Sequence, residues 1–181
     1  MKKILSVLMF LLLPISIYAQ QNVTKFLGIP VDGSKAAMVQ KLKAKGFTYD
    51  TLSGDLEGTF NGEEVYISIL TNKNKVWRIA VIDKTTRDEG QIKIRYNNLC
   101  QQFEANPKYF KLNETQALSN NENISYGITV NKKQYAAIYY QLPQEGILNR
   151  MVWFTILERY GKYYIIIFYE NENNNSHGED L

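Results

Sequence analysis

The sequence predicts an α+β fold: two helix-plus-antiparallel-meander units in tandem, with the helices packed on one face of the sheet. Three observations predict it. Two stretches carry apolar residues at helical spacing, one around Met38, Val39 and Leu42 and a longer one from Ile92 to Phe103. Each is followed by short alternating runs separated by turn residues, the pattern of antiparallel meanders rather than of single parallel strands. Finally, residues 74–82, N-K-V-W-R-I-A-V-I, are echoed at 149–157 by N-R-M-V-W-F-T-I-L, an internal repeat built on a tryptophan-bearing strand.

Residues 1–19 read as a signal peptide: Lys2 and Lys3, an apolar run from Ile4 to Leu13, the breaker Pro14, and small residues that place cleavage after Ala19. The run is too short for a spanning helix. No cysteine stands directly after the expected cleavage site to be acylated, and no later stretch is long and apolar enough to anchor, so the expectation is a periplasmic or secreted protein with no membrane anchor after cleavage. Residues 20–170 then form a single domain of two repeat-like units, about 26–83 and 86–170, and 171–181 form a disordered tail, polar until its last residue.

Charge excludes one class of partner. Without Lys2 and Lys3 the 21 basic residues fall to 19 against 18 acidic ones, too even a balance to track nucleic acid phosphates. The single cysteine, Cys100, cannot make an internal disulfide, so the core of a mature chain of about 160 residues must hold the fold alone. Hydrophobic residues make up 45% of the chain and 13 are tyrosines, which bury area while keeping a polar tip.

The elements follow in order. An N-terminal arm, 20–27, leads through Gly28-Ile-Pro-Val-Asp-Gly-Ser into the first helix, capped by Asp32 or Ser34 and closed by Lys45-Gly46-Phe47. Its lysines form a solvated face. Runs at 56–60 and 63–70 flank Asn61-Gly62, a type I′ hairpin signal, and Thr71-Asn-Lys-Asn turns the chain into the Trp77 strand. Val65, Ile67 and Ile69 should face the core and Tyr66 the other side. In the next strand Trp77, Ile79 and Val81 share a face and Arg78 opposes them, which makes Trp77 a core residue. The second helix opens on a capping box, Thr86-Arg-Asp-Glu89, presents Ile92, Tyr96, Leu99, Cys100 and Phe103 as one stripe, and stops at Asn106-Pro107. Cys100 inside that stripe reads as a buried structural thiol rather than a nucleophile. A polar connection, 107–123, carries a short strand at 109–112. Strand-like runs follow at 124–130, 132–142, 151–160 and 163–169, the last apolar on both faces and so central in the sheet.

The run F-L-G-I-P-V-D-G-S, with Met38, Leu42 and Lys45-Gly-Phe, resembles a group of uncharacterised exported bacterial proteins with a tandem β-lactamase-inhibitor-like fold. The ending Tyr169-Glu-Asn-Glu-Asn is similar to one in that group, which usually has aspartate where this chain has Glu170. The resemblance covers nearly the whole mature chain. It implies tandem helix-plus-sheet units and a sheet face, away from the helices, that often binds protein; it carries no catalytic residue.

The residues themselves offer little catalytic chemistry. Ser-His-Asp and Cys-His mechanisms, and zinc sites of the Cys/His kind, need a positioned histidine, and His177 lies in the polar tail. Glu170 and Glu172 with their asparagines lack the alternating acids and glycine of a calcium loop. Gly28 to Gly33 is broken by Pro30 and does not form a phosphate cradle. Asn22, Asn113 and Asn123 head glycosylation triplets that matter only in a eukaryotic secretory pathway. No metal or cofactor is called for. The expectation is therefore a non-catalytic protein-binding or inhibitory module acting on an envelope or secreted protein through an open sheet face, where alternation places Tyr66, Arg78, Tyr135 and Tyr139. The alternative is a small-ligand or carbohydrate binder or hydrolase with a cleft between the two units, for which no carboxylate pair stands out.

Overall fold

The computed structural model describes residues 22–111 and 116–175. The signal peptide expected at 1–19 and His177 lie outside the described residues. The N-terminal arm is a hairpin of β1 (Lys25–Phe26) and β2 (Ile29–Pro30). There follow α1 (Lys35–Lys43), β3 (Thr48–Tyr49), β4 (Leu56–Phe60), β5 (Glu63–Asn72) and β6 (Lys75–Asp83). Next come α2 (Glu89–Ala105), β7 (Tyr109–Phe110), α3 (Ile124–Thr129), β8 (Ala136–Gln141), β9 (Met151–Arg159) and β10 (Lys162–Glu170). The class is α+β: among the described residues, three helices stand with a large antiparallel sheet ordered β3-β4-β5-β6-β10-β9-β8-β7. Strands β6 and β10 pair at its middle, which agrees with the two-sided apolarity of 163–169. No described helix is long and apolar enough to cross a membrane.

Local sequence explains most of these elements. Ser34 caps α1, its hydroxyl accepting the Ala37 N–H at 3.3 Å, and Met38, Val39 and Leu42 are buried. Gly46 takes φ +96°, a left-handed position that glycine reaches without strain, and the Phe47 N–H returns to the Leu42 carbonyl at 3.2 Å. Asn61 and Gly62 take φ 53° and 77°, the type I′ geometry whose twist suits the β4–β5 hairpin. Ile92, Tyr96, Leu99, Cys100 and Phe103 all bury, and Phe103 stacks on Tyr139 at 4.7 Å.

All three helices contribute to one core on one face of the sheet. Val65, Ile67, Ile69, Ile79, Val81, Val152, Phe154, Ile156, Ile165 and Ile167 point into it. Phe26 of the hairpin packs against Phe60 and Tyr169 on the same side, at 5.2 and 4.9 Å. A buried polar pair ties α2 to the sheet: Arg95 reaches the Asp83 carboxylate at 3.2 and 3.3 Å, and Arg87 joins at 3.1 Å. Burial pushes the Asp83 carboxyl above its usual range, although Arg95 and Arg87 oppose that shift.

Three expectations are corrected. Residues 124–130 read as a strand through their β-branched residues, yet 124–129 form α3, because the Asn123 side chain accepts the Tyr126 N–H at 2.8 Å and caps a helix. The residues that turn inward, Ile124, Gly127 and Ile128, have helical spacing. The capping box lies two residues later than expected: Asp88 is the N-cap and Gln91 its partner, since Arg87 is still extended and pairs with Tyr163. The disordered tail expected at 171–181 is corrected for its described residues, 171–175. Asn171 is buried, its N–H bonded to the Trp77 carbonyl at 2.7 Å and its amide to that of Val31 at 2.8 Å, and a 3-10 turn, Glu172–Asn174, docks beside it.

Candidate binding face

The helices leave the other sheet face uncovered. Alternation along β5, β6, β10, β9 and β8 sends Leu70, Ile82, Ile166, Phe168, Leu157 and Ile138 to that side, none of them part of the helix-side core. A solvated antiparallel face ordinarily alternates to polar residues. Here aliphatic and aromatic residues predominate from β5 to β7, where Phe110 stands at the far edge, with Ser68, Arg78, Thr155 and Glu170 among them.

At the centre is a cluster around Arg78. Its guanidinium sits 4.1 Å from the Trp77 ring centre, 4.8 Å from Phe168 and 5.9 Å from Trp153. It pairs with Glu170, which is 1% exposed, and Trp153 donates its indole N–H to the same carboxylate at 2.8 Å. The Arg78 Nε–H is buried without a hydrogen bond among the described residues. Burial raises the Glu170 carboxyl above its ordinary range. The Trp153 N–H and Arg78 oppose that shift, and Glu172 adds to it. The result is a rigid aromatic and guanidinium surface in which charge is neutralised locally, suited to contact rather than to proton transfer.

Trp77 belongs to this face because of a β-bulge, which corrects its expected place in the core. Pairing runs Asn72↔Lys75 and Thr71↔Val76 near the turn, then shifts to Leu70↔Arg78. Trp77 is the extra residue, so it emerges beside Arg78 and Val76 takes the buried position instead. Trp153 reaches the same face by simple alternation, since Val152 and Phe154 are its buried neighbours. The two echoing strands are β6 and β9, which lie on opposite sides of β10, and their tryptophans converge on one arginine.

Of the four residues expected on the open face, the structure places two there. Tyr66 is 46% exposed with the Lys84 ammonium 4.5 Å above its ring, and Arg78 is central. Tyr135 and Tyr139 are corrected: they are 2% and 1% exposed on the helix side. Tyr139 stacks on Phe103 and Phe154 and donates to the Cys100 carbonyl at 3.4 Å, and Tyr135 donates to Glu122 at 2.6 Å. Strand β8 has bulky residues in both alternation sets, and the helix side took Ala137 and Tyr139 while Ile138 went outward. Sequence reasoning missed Trp77, Trp153, Phe168 and Glu170.

Two concavities adjoin these surfaces. A depression of about 410 Å³ on the open face involves Trp153, Phe168, Leu157 and Ala136, with Lys132 and Lys133 at its margin. A larger cleft, about 940 Å³, lies on the helix side, and its described lining includes no aspartate or glutamate. Among the described residues no group of three or more His, Cys, Asp or Glu stands close enough to hold a metal ion. Compared with known proteins, the chain matches no family model, and no curated protein and no solved structure matches it.

Proposed function

We propose that this chain is an exported, non-catalytic protein-binding or inhibitory module that engages an envelope or secreted protein through the open sheet face. The observation that carries the reading is the apolar and aromatic sheet face left bare by the helices, with Arg78 fixed at its centre. A contiguous exposed apolar surface of this kind marks an interaction site in a soluble protein, and Trp, Tyr and Arg are the residues that dominate binding energy in such contacts. Cross-element hydrogen bonds hold the cluster in place before any partner arrives, which lowers the entropy lost on binding.

The tandem architecture is part of this proposal, with strand order in its support, and the β-lactamase-inhibitor-like resemblance is carried with it on the sequence motifs alone. Strands β3 to β6 and β7 to β10 each run as neighbours, and the two sets meet at β6–β10, each set preceded by a helix. The periplasmic or secreted address rests on the signal peptide expected at residues 1–19.

The test is site-specific photocrosslinking in envelope extract, with the photoreactive residue at Tyr66 or Leu157 on the open face or at Lys41 on exposed α1. The expected result is one protein adduct from the two open-face positions, absent at Lys41 and lost when Ile138→Asp is added. Adducts of equal yield from both sides of the molecule, or none from the open face, would overturn the proposal.

A further inference from the structure

We propose that the helix-side cleft is a second binding site, independent of the open face, for a small amphiphilic anion: an acyl or comparable apolar body with one carboxylate-like head. Its size, about 940 Å³, is within the range of small-molecule sites. The floor is apolar, made by Leu99, Phe103, Ile167 and Tyr169 where the core reaches the surface. At the mouth stand Leu27 and Leu142, 38% and 42% exposed, two large aliphatic side chains that remain partly open to solvent. Leu27 takes φ 51° at the tip of the β1–β2 hairpin, a left-handed position that glycine or asparagine would occupy without strain. The hairpin thus holds an exposed leucine in a strained conformation at the edge of an apolar-floored cleft.

The walls are joined before any ligand enters. The Asn61 amide donates to Gln102 at 2.7 Å, linking the β4–β5 turn to α2. The Gln141 side chain accepts the Lys25 N–H and donates to the Lys25 carbonyl, both at 2.7 Å, and also reaches the Tyr109 hydroxyl at 3.2 Å. Elements far apart in sequence are therefore fixed around the opening, and little ordering cost attends binding.

Charge assigns the head group. The charged residues of the described lining are Lys25 and Lys108, neither of them ion-paired among the described residues. The carbonyl end of α2 also faces the cleft and opposes an anion, but it carries about half a charge against two ammonium groups. An apolar floor beneath two uncommitted lysines fits a ligand that buries a chain and leaves its anionic end at the rim.

The experiment is fluorescence titration of the purified mature protein with dansylated undecanoic acid. Saturable binding at one probe per chain is expected. The double substitution Lys25→Glu with Lys108→Glu, both on exposed residues, should weaken it about tenfold or more with an unchanged melting temperature. Ile138→Asp, which disables the open face, should bind the probe like the parent protein, so the two sites fail or stand separately. The inference is overturned if binding is not saturable, if the uncharged methyl ester of the probe binds equally well, if the charge reversal has no effect, or if Ile138→Asp abolishes binding.

Discussion

Trp153 and Glu170, on adjacent strands, are joined by an indole N–H to carboxylate hydrogen bond of 2.8 Å, and the same carboxylate neutralises Arg78. One buried acid therefore satisfies two donors on the open face. Removing it with Glu170→Ala leaves a partly buried guanidinium and an indole N–H unpaired, at a cost of about 2–4 kcal/mol. Glu170→Gln retains an acceptor for Trp153 and loses only the charge, so it should cost about 1–2 kcal/mol. Urea unfolding of the two variants checks the order, and equal stability of Glu170→Ala and the parent protein would show that the acid organises nothing.

Trp77 should behave as a surface anchor rather than as core. It emerges at the bulge beside Arg78 and is only partly buried, whereas Phe154 is fully buried under Phe103 and Tyr96. Trp77→Ala is expected to cost about 1–2 kcal/mol and Phe154→Ala about 3–5 kcal/mol, because only the second leaves a closed cavity. Thermal unfolding of both measures the contrast. A Trp77→Ala loss as large as that of Phe154→Ala would return Trp77 to the core.

Tyr139 provides the reverse case. Its ring packs in a three-ring cluster with Phe103 and Phe154, and its hydroxyl makes one long bond to the Cys100 carbonyl. Tyr139→Ala should cost about 3–5 kcal/mol and Tyr139→Phe about 0.5–1 kcal/mol, while Tyr66→Ala on the open face should fall within about 0.5 kcal/mol of the parent protein. Chemical denaturation midpoints distinguish the three.

These contrasts show what could be read in the chain. The meander of β4, β5 and β6, the stripe of α2 and the central place of β10 follow from local periodicity and turn chemistry, which act over a few residues. The face of β8 does not, because Tyr135 and Tyr139 compete with Ile138 and Tyr140, and only the fit against Phe103 decides between them. The bulge was legible in principle. A two-residue turn at Lys73-Asn74 would continue the pairing so that Ile69 opposes Arg78 and carries it toward the helices. The apolar pattern requires Ile69 opposite Ile79, as observed, so one residue had to be absorbed between turn and core. The α3 segment was misread because β-branched residues outweighed a single capping asparagine. The Arg78 cluster brings together residues 77, 78, 153, 168 and 170, a juxtaposition set by strand order and by the bulge at Trp77.

Cys100 gives the chain a specific alkaline weakness. Burial in the α2 stripe pushes its thiol up to about 11 from 9.0, with the Tyr139 hydroxyl opposing the shift. The unfolded chain then loses the thiol proton at a lower pH than the folded one does. Between pH 9 and pH 11 the unfolded state binds fewer protons, so stability falls as pH rises, and the thiol's contribution, complete below pH 9, is lost through that window. Two pH units correspond to about 2–3 kcal/mol. Urea unfolding at pH 8 and pH 10.5 should therefore show a steeper loss in the parent protein than in Cys100→Ala. The cavity left by that substitution offsets stability equally at both pH values, and buried tyrosines such as Tyr96 titrate in both proteins. Parallel pH dependence in the two proteins would mean that the thiol titrates as freely in the folded chain as in the unfolded one, contrary to its burial.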